Sequence, residues 1–379
     1  MAADSEGYSG FSVEVDWNGR PVQAWVPALL RERPMELSAS AARASERACA
    51  ALRLADARLP DRWEAMARLL LRNEGVASSG IEGLREPIES VLIAERTSAG
   101  GTAGWVAANL VVIDRALETA HEPLTVDALH RWHRHLMQHG NLPPDMIGVF
   151  RPAMGWVGGS SPLDAAYVPP PPAEIPRLVD DLIAFANATP EDLDPVSHAA
   201  VIHAQFEAIH PYGDGNGRLG RALISRTLRR RETTVRSTVP VSMAIVRDPG
   251  GYLSGLRLYE QGTLEPWVKW FAETAQKAAS TTHQIIDQTS ALLAQWEEAV
   301  ADLRADHSAR ALLSYLPAHP LLSAGDVADL LGTSERSART ALSALASRAI
   351  LSPIDVPTST PGRTRHWFAA PDLLHIWGV

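Results

Sequence analysis

The chain has almost no cysteine. Cys49 is the only one among 379 residues. That excludes an intramolecular disulfide framework and a thiolate metal cluster, and it fits a reducing compartment. Long apolar runs are missing too, since no uninterrupted stretch approaches the roughly 20 residues of a membrane span. The opening residues Met1-Ala2-Ala3-Asp4-Ser5-Glu6 are acidic and polar, without the charged-then-apolar order of a secretory signal. A soluble cytoplasmic protein with no membrane partner is expected. Positive charge is not in excess. The formal net charge is −9, which removes any global electrostatic case for binding nucleic acid. There is no internal repeat, and no low-complexity tract beyond the prolines at 169–172. What is present suffices for packed cores: 46% of the residues are hydrophobic, and the length implies two or three domains.

Helical periodicity dominates. Residues 1–36 read as irregular, with a short strand at 11–15 and punctuation at Pro21, Pro27 and Pro34. An Ala/Arg/Leu-rich helix is expected over 38–59. Asp61 is expected to cap the next helix, whose apolar positions are Trp63, Met66, Ala67, Leu70 and Leu71. Further helices are expected over 86–96, 105–120 and 126–139. Residues 141–173 break the pattern, with strand formers flanking Gly and Ser, and read as a short hairpin. Helices resume over 173–187, 198–209, 216–230 and 252–281, the last with Trp267, Trp270 and Phe271 as core. From Ser323 to Leu345 the chain reads helix, glycine turn, helix, followed by strands at 350–356 and 365–368.

The most informative stretch is His210-Pro-Tyr-Gly-Asp-Gly-Asn-Gly-Arg-Leu-Gly-Arg221. It combines a base, a carboxylate, a glycine-rich turn and two arginines, a set suited to phosphate chemistry. Gly215 and Gly217 let the backbone approach an anion closely. A helix starting there points its free N–H groups and positive dipole end at that anion. Arg218 and Arg221, three apart, share a helix face. Asp214 offers hard oxygen ligands to Mg²⁺. His210 is a candidate proton acceptor near neutral pH.

Other readings of these residues are weaker. Gly215-x-Gly217-x-x-Gly220 satisfies the dinucleotide fingerprint, which needs a preceding strand where this chain predicts a helix. No Gly-Lys-(Ser/Thr) follows, so a Walker loop is excluded. His130, His133, His135 and His139 raise the question of zinc. His135 and His139 are four apart, but no glutamate lies between them in a His-Glu-x-x-His pattern. A solvated helix face is the expectation, with His198 and His203 as packing or supporting residues.

The stretch resembles the signature of the Fic family, His-x-Phe-x-(Asp/Glu)-Gly-Asn-Gly-Arg-x-x-Arg, with Tyr212 in place of Phe. Ser78-x-x-x-Glu82-Gly83 resembles the inhibitory motif of the same family. Gly148–Arg151, the Trp156–Gly159 segment and Tyr167–Pro172 resemble its flap, which holds the target segment by strand pairing. The resemblance covers roughly residues 25–280. It implies Mg²⁺-dependent (or Mn²⁺-dependent) transfer of AMP from ATP to a Ser, Thr or Tyr hydroxyl of a target protein, including the enzyme itself. In that scheme His210 is the base and Asp214 binds the metal. Gly215, Asn216 and Gly217 cradle the α-phosphate region, Arg218 supports the β-phosphate, and Arg221 takes the γ-phosphate. Tyr252 and Tyr259 resemble an aromatic pair near the adenine, although core packing explains them nearly as well. Glu82 is expected to reach Arg221 and act as a brake, or to position water for AMP removal. Gly75 and Gly80 weaken the helix that carries Glu82, so the brake is expected to release readily. Related proteins often dimerise over this region.

The expected fold is therefore mainly α: a Fic-type helical core with a short β-hairpin flap and a small C-terminal domain that resembles a winged helix-turn-helix. The expected divisions are 1–105 (N-terminal segment with the inhibitory helix), 106–285 (catalytic core) and 305–379 (winged helix). In the last, Arg336, Arg339, Arg363 and Arg365 are candidate phosphate contacts, offset by Asp326, Asp329 and Glu335. DNA and protein recognition stay open there. A DNA-binding regulator using the core as a nucleotide sensor is the alternative reading.

Overall fold

A computed structural model describes residues 10–33, 35–61, 63–97, 100–357 and 364–376. Strands β1 (Gly10–Trp17) and β2 (Arg20–Pro27) form an antiparallel hairpin where the sequence read as mostly irregular. Its turn is Asn18-Gly19, both with positive φ (51° and 78°), a pairing that matches the twist of the flanking strands. Proline punctuation obscured it. Pro21 and Pro27 sit at the ends of β2, where a missing donor costs little.

Helices follow. Helix α1 (Ala39–Ala57) is capped by Ser38, whose side chain accepts from the Ala41 N–H. Helix α2 (Glu64–Ile81) starts at Trp63 without a side-chain cap, so Asp61 does not hold the expected position. Next come α3 (Ile88–Thr97), α4 (Gly101–Glu118) and α5 (Val126–Met137). The expected hairpin over 141–173 is one antiparallel bridge, Val157 to Tyr167, tied to β2 by the Trp25 N–H donating to the Val168 carbonyl at 2.9 Å. After α6 (Ile175–Asn187), Asp194 caps α7 (Pro195–Ile209) and Pro195 opens it. Helix α8 (Asn216–Arg230) follows the signature turn. The predicted helix over 252–281 is two helices. After the short α9 (Val241–Val246), α10 (Pro249–Glu260) ends and Gly262 (φ 86°) breaks the chain before the 36-residue α11 (Leu264–Ala299).

The C-terminal unit contains α12 (Ser308–Leu313), β3 (Leu321–Leu322), α13 (Ala324–Leu331), α14 (Glu335–Ala346), β4 (Ser352–Pro357), β5 (Thr364–Ala369) and α15 (Pro371–Ile376). Its antiparallel sheet has the order β3-β5-β4. Gly332, left-handed at φ 60°, turns α13 into α14. Arg363 lies outside the described residues.

Among the described residues, two large apolar cores stand beside a small cluster of Val22, Ala24 and Val168. The first surrounds α7, nearly all of which is buried, and gathers residues of α1, α4, α5, α6, α8 and the start of α11. The second joins Met66, Leu69 and Leu70 of α2 to the far half of α11 and to the C-terminal unit. Leu71, next along α2, belongs to the first core. The helix that ends at Glu82 is thus wedged between both. No helix among the described residues is long and apolar enough to cross a membrane.

Candidate active site

The site forms where α7 ends and α8 begins. Helix α7 stops at His210, which adopts a left-handed conformation (φ 48°, ψ 58°) that L-residues seldom take unless held. Arg151 holds it. This buried side chain donates from Nε to the His210 carbonyl at 2.8 Å and from Nη1 to the Ala153 carbonyl at 3.0 Å, and Nη2 reaches the Pro170 carbonyl. The Arg151 N–H also donates to the Pro211 carbonyl. The flap-like segment and the end of α7 are therefore one structure. Burial, reinforced by Arg151, pushes the His210 imidazole down to about 4. It is neutral at pH 7 and able to accept a proton.

The turn after His210 is shaped by Asn216. Its Oδ1 accepts from the Tyr212 N–H and its Nδ2 donates to the Tyr212 carbonyl, both at 2.9 Å. The side-chain amide thus braces the loop and keeps one Nδ2–H free of it. Beside it, helix geometry leaves the backbone N–H groups of the first turn of α8 without intrahelical acceptors. Gly215 enters that turn at φ 79°. Asp214, 61% exposed at its side chain, accepts the Gly215 N–H at 2.6 Å and lies 3.8 Å from Arg218.

The histidines of α5 depart from the expected solvated face. His133 is fully buried. Its Nδ1 accepts from the Gly148 N–H at 2.7 Å, so Nε2 carries the proton and donates to the Asp214 carbonyl at 3.1 Å. Its ring stacks on Tyr212 at 4.1 Å. His130 meets the Tyr212 hydroxyl at 3.0 Å, so the tyrosine that stands where the resembled signature has Phe has its own polar partner. His135 and His139 are exposed. Helical spacing carried the signal for His133, which falls on the apolar stripe of Leu129, Trp132, Leu136 and Met137, while His135 lies off it.

Arg221 is 1% exposed. Its Nε donates to Ser78 Oγ at 2.9 Å, and its Nη2 donates to the Ser78 carbonyl at 2.9 Å and to Glu82 Oε1 at 2.8 Å. Burial pushes the Glu82 carboxyl up, yet Arg221, then Arg218 and His210, outweigh that and hold it below the usual carboxylate range. Glu82 also lies directly over Gly217, where any Cβ would overlap its Oε1. Gly83 (φ 78°) sets this position. Its N–H donates to the Gly80 carbonyl and the Leu84 N–H to the Ser79 carbonyl, a Schellman ending for α2. Glu82 is therefore both a helix-terminal residue and the partner of Arg221.

Helix α4 grips α2 from behind. Asn109 Nδ2 donates to the Gly75 carbonyl at 3.1 Å and to Ser79 Oγ at 3.2 Å. Gly75 is more than a weak point of the helix, because a Cβ there would overlap the Leu110 side chain. Gly80 has open space around it. Glu74, buried and pushed up to about 7 by burial, accepts from the Ser242 N–H at 2.8 Å.

Arg218 is 4% exposed. Its Nε has no partner, and it lines a 140 Å³ cleft with Glu82, Trp105, Asn141 and Asp214. Tyr252 and Tyr259 are core residues: one hydroxyl meets His203 Nε2 at 2.9 Å and the other donates to Gln205 Oε1 at 2.8 Å. Sequence reasoning passed over Glu207. Burial pushes it up to about 8, 3.9 Å from His203, in the space left by Gly220. Among the described residues no group of three His, Cys, Asp or Glu side chains forms a metal cage.

Residues 123–228 match the Fic/DOC family. Two curated relatives are protein adenylyltransferase fic-1 of Caenorhabditis elegans and protein adenylyltransferase Fic of Drosophila grimshawi. Each is 28% identical, over 160 and 155 residues, or 42% and 41% of this chain and 29% of each relative. The chain thus spans about three-tenths of the length of the curated relatives it matches. A Fic family protein from Desulfovibrio desulfuricans G20 shares the fold with a TM-score of 0.52 at 22% identity, covering 86% of this chain and 95% of that one. Residues 134–508 of Fic-1 from C. elegans align with a TM-score of 0.50 at 19% identity, over 65% of this chain and 73% of that one.

Proposed function

We propose, from the match of residues 123–228 to the Fic/DOC family, that the chain is a protein adenylyltransferase. It transfers AMP from ATP to a Ser, Thr or Tyr hydroxyl of a target protein or of itself. One observation carries the reading. The Glu82 carboxylate sits over Gly217, 2.8 Å from Arg221 and within the field of Arg218 and His210. An anion already occupies the point where a helix N-terminus and two arginines converge, which is where a phosphate chain is best held.

In this reading neutral His210 takes the proton of the target hydroxyl. The hydroxyl oxygen then forms a bond to the α-phosphorus as the bond to pyrophosphate breaks. The first-turn N–H groups of α8 and Arg218 stabilise charge developing on the phosphate. Asp214 fits a Mg²⁺ or Mn²⁺ ion, because its carboxylate is open beside the helix N-terminus and such ions take few protein ligands when phosphates supply the rest. When bound, the metal neutralises phosphate charge and orients the chain of phosphates. Glu82 is the brake. While it holds Arg221 the γ-phosphate lacks its partner, and a misplacement of about 1 Å costs on the order of 10²-fold in rate.

The units 1–105, 106–285 and 305–379 are read as brake-bearing segment, catalytic domain and winged helix. A cytoplasmic location and a homodimer over the Ser78–Gly83 region belong to the same reading.

The test uses wild type, Glu82→Gly and His210→Ala with Mg²⁺ and ATP labelled at the α- or γ-phosphate. Transfer of α-label alone, raised in Glu82→Gly and absent in His210→Ala, is the expected result. Transfer of γ-label overturns the reading in favour of a kinase. AMP removal that disappears in Glu82→Gly makes Glu82 a water-positioning group instead. No transfer with either label, together with a sequence-selective mobility shift that survives ~200 mM salt, favours the DNA-binding regulator.

A further inference from the structure

The helix that carries Ser78 and Glu82 packs chiefly on α4 and α9 and also reaches the C-terminal unit through Arg72. Arg72, one and a half turns before Ser78, is 7% exposed. Its Nη1 donates to the Ala318 carbonyl, on the segment leading into β3, at 2.7 Å, and its Nε pairs with Glu95 on α3 at 2.9 Å. The other Glu95 oxygen takes Arg68 Nη2 at 2.8 Å. The next residue, Arg96, pairs with Asp326, the carboxylate that closes the capping box of α13. Beneath these polar contacts, Met66, Leu69 and Leu70 share one core with Leu316 and Leu322. A single line of contacts therefore runs from the C-terminal unit through α3 and α2 to Ser78 and Glu82 on Arg221.

Helix α2 contributes little to its own order. It begins at an uncapped Trp63 and contains two glycines, Gly75 and Gly80. Its position is set by what it packs against: α4, the short helix α9 through Glu74 and Ser242, and, over residues 66–72, the C-terminal unit.

We infer that the C-terminal unit sets the brake: docked through Arg72 and Arg96, it holds α2 where Ser78 and Glu82 occupy Arg221, and its displacement frees Arg221. This rests on reading Glu82 as a brake. A partner of the C-terminal unit can release the brake only by binding the displaced state more tightly than the docked one. The face open to such a partner carries Arg336, Arg339, Thr340 and Ser343 of α14, all exposed.

The experiment uses the full chain carrying Arg72→Met or the milder Arg96→Ala, each alone and combined with Glu82→Gly. Hydrogen exchange over residues 64–82, affinity for a fluorescent ATP analogue and α-label transfer are read together. Both variants are expected to speed exchange in 64–82 while α7 stays protected. Arg72→Met is expected to raise transfer and nucleotide affinity about 5-fold or more, the usual lower range of coupling between sites, with no further gain in the Glu82→Gly background. Unchanged exchange in both variants overturns the inference. So does a change in transfer or affinity of equal size with and without Glu82, which marks the contact as scaffolding. If no protein shows transfer, Glu82→Gly included, the enzymatic reading fails, and exchange with nucleotide affinity still decides the coupling.

Discussion

Leu110 fills the space that a side chain on Gly75 would need. The glycine is what lets α2 lie close against α4, near enough for Asn109 to reach the Gly75 carbonyl and Ser79. The two glycines of α2 therefore predict opposite effects. Gly75→Ala overpacks the contact and is expected to cost about 1–3 kcal/mol while loosening the hold on Arg221. Gly80→Ala meets open space in helical backbone and is expected to stabilise by about 0.4–1 kcal/mol. Urea unfolding of both variants, with transfer activity alongside, checks the pair. Equal effects would remove the packing argument.

Stability is predicted to peak near pH 6.5. Burial pushes His133, His198, His210 and His319 down to about 4 and His203 to about 3. Each stays neutral in the fold but takes a proton when unfolded below about 6.5, so each removes stability as pH falls from there. Burial pushes Glu74 and Glu260 up to about 7 and Glu207 to about 8. These stay protonated in the fold while the unfolded chain ionises them, so each removes stability as pH rises from about 4.5 through its folded value. Between 4.5 and 6.5 the histidines outnumber the glutamates and stability climbs with pH. From 6.5 to 8 only the glutamates act and it declines. The drop should be steepest below 4.5, where the unfolded glutamates no longer oppose the histidines. Urea midpoints from pH 4 to 9 test this.

His133→Phe keeps a ring to stack on Tyr212 but removes both hydrogen bonds of the imidazole. The Gly148 N–H and the Asp214 carbonyl lose their partner, at roughly 1–3 kcal/mol for each group left unsatisfied. Faster exchange over 210–217 and 148–151 is expected, together with lower stability. Loss of stability without that local change would assign His133 to general packing.

Tyr212→Phe restores the residue more usual in the signature. It deletes one hydrogen bond to a half-buried histidine, so the expected loss is at most about 1.5 kcal/mol, with transfer unchanged. A collapse of activity would mean that the hydroxyl does more than hold His130.

Where local chemistry decides, the sequence was legible. Ser38 announced the start of α1, and α8 begins at Asn216 as expected because Gly215 must turn left-handed and nothing breaks the next fifteen residues. The contact of Glu82 with Arg221 was legible only through the resemblance of Ser78-x-x-x-Glu82-Gly83 to an inhibitory motif, since helix spacing puts Ser78 and Glu82 on one face without saying what that face meets. Where tertiary contact decides, it was not. The Asn18-Gly19 turn was present in the sequence but hidden by prolines. Gly75 read as weakness until Leu110 appeared beside it. The two bonds of the Asn216 amide to Tyr212 could not be read from the motif.

The wedging of α2 between two cores has a consequence for the newborn protein. During synthesis α2 leaves the ribosome before the helices that build the His210 site, which follow within the next two hundred residues. Part of the bed in which α2 rests comes from residues 285–374, which are made only after the site. At ordinary elongation rates of ~5–20 residues per second, the interval between a completed site and a fully seated α2 is on the order of ten seconds. A nascent chain released or stalled in that window would carry the site without its second support.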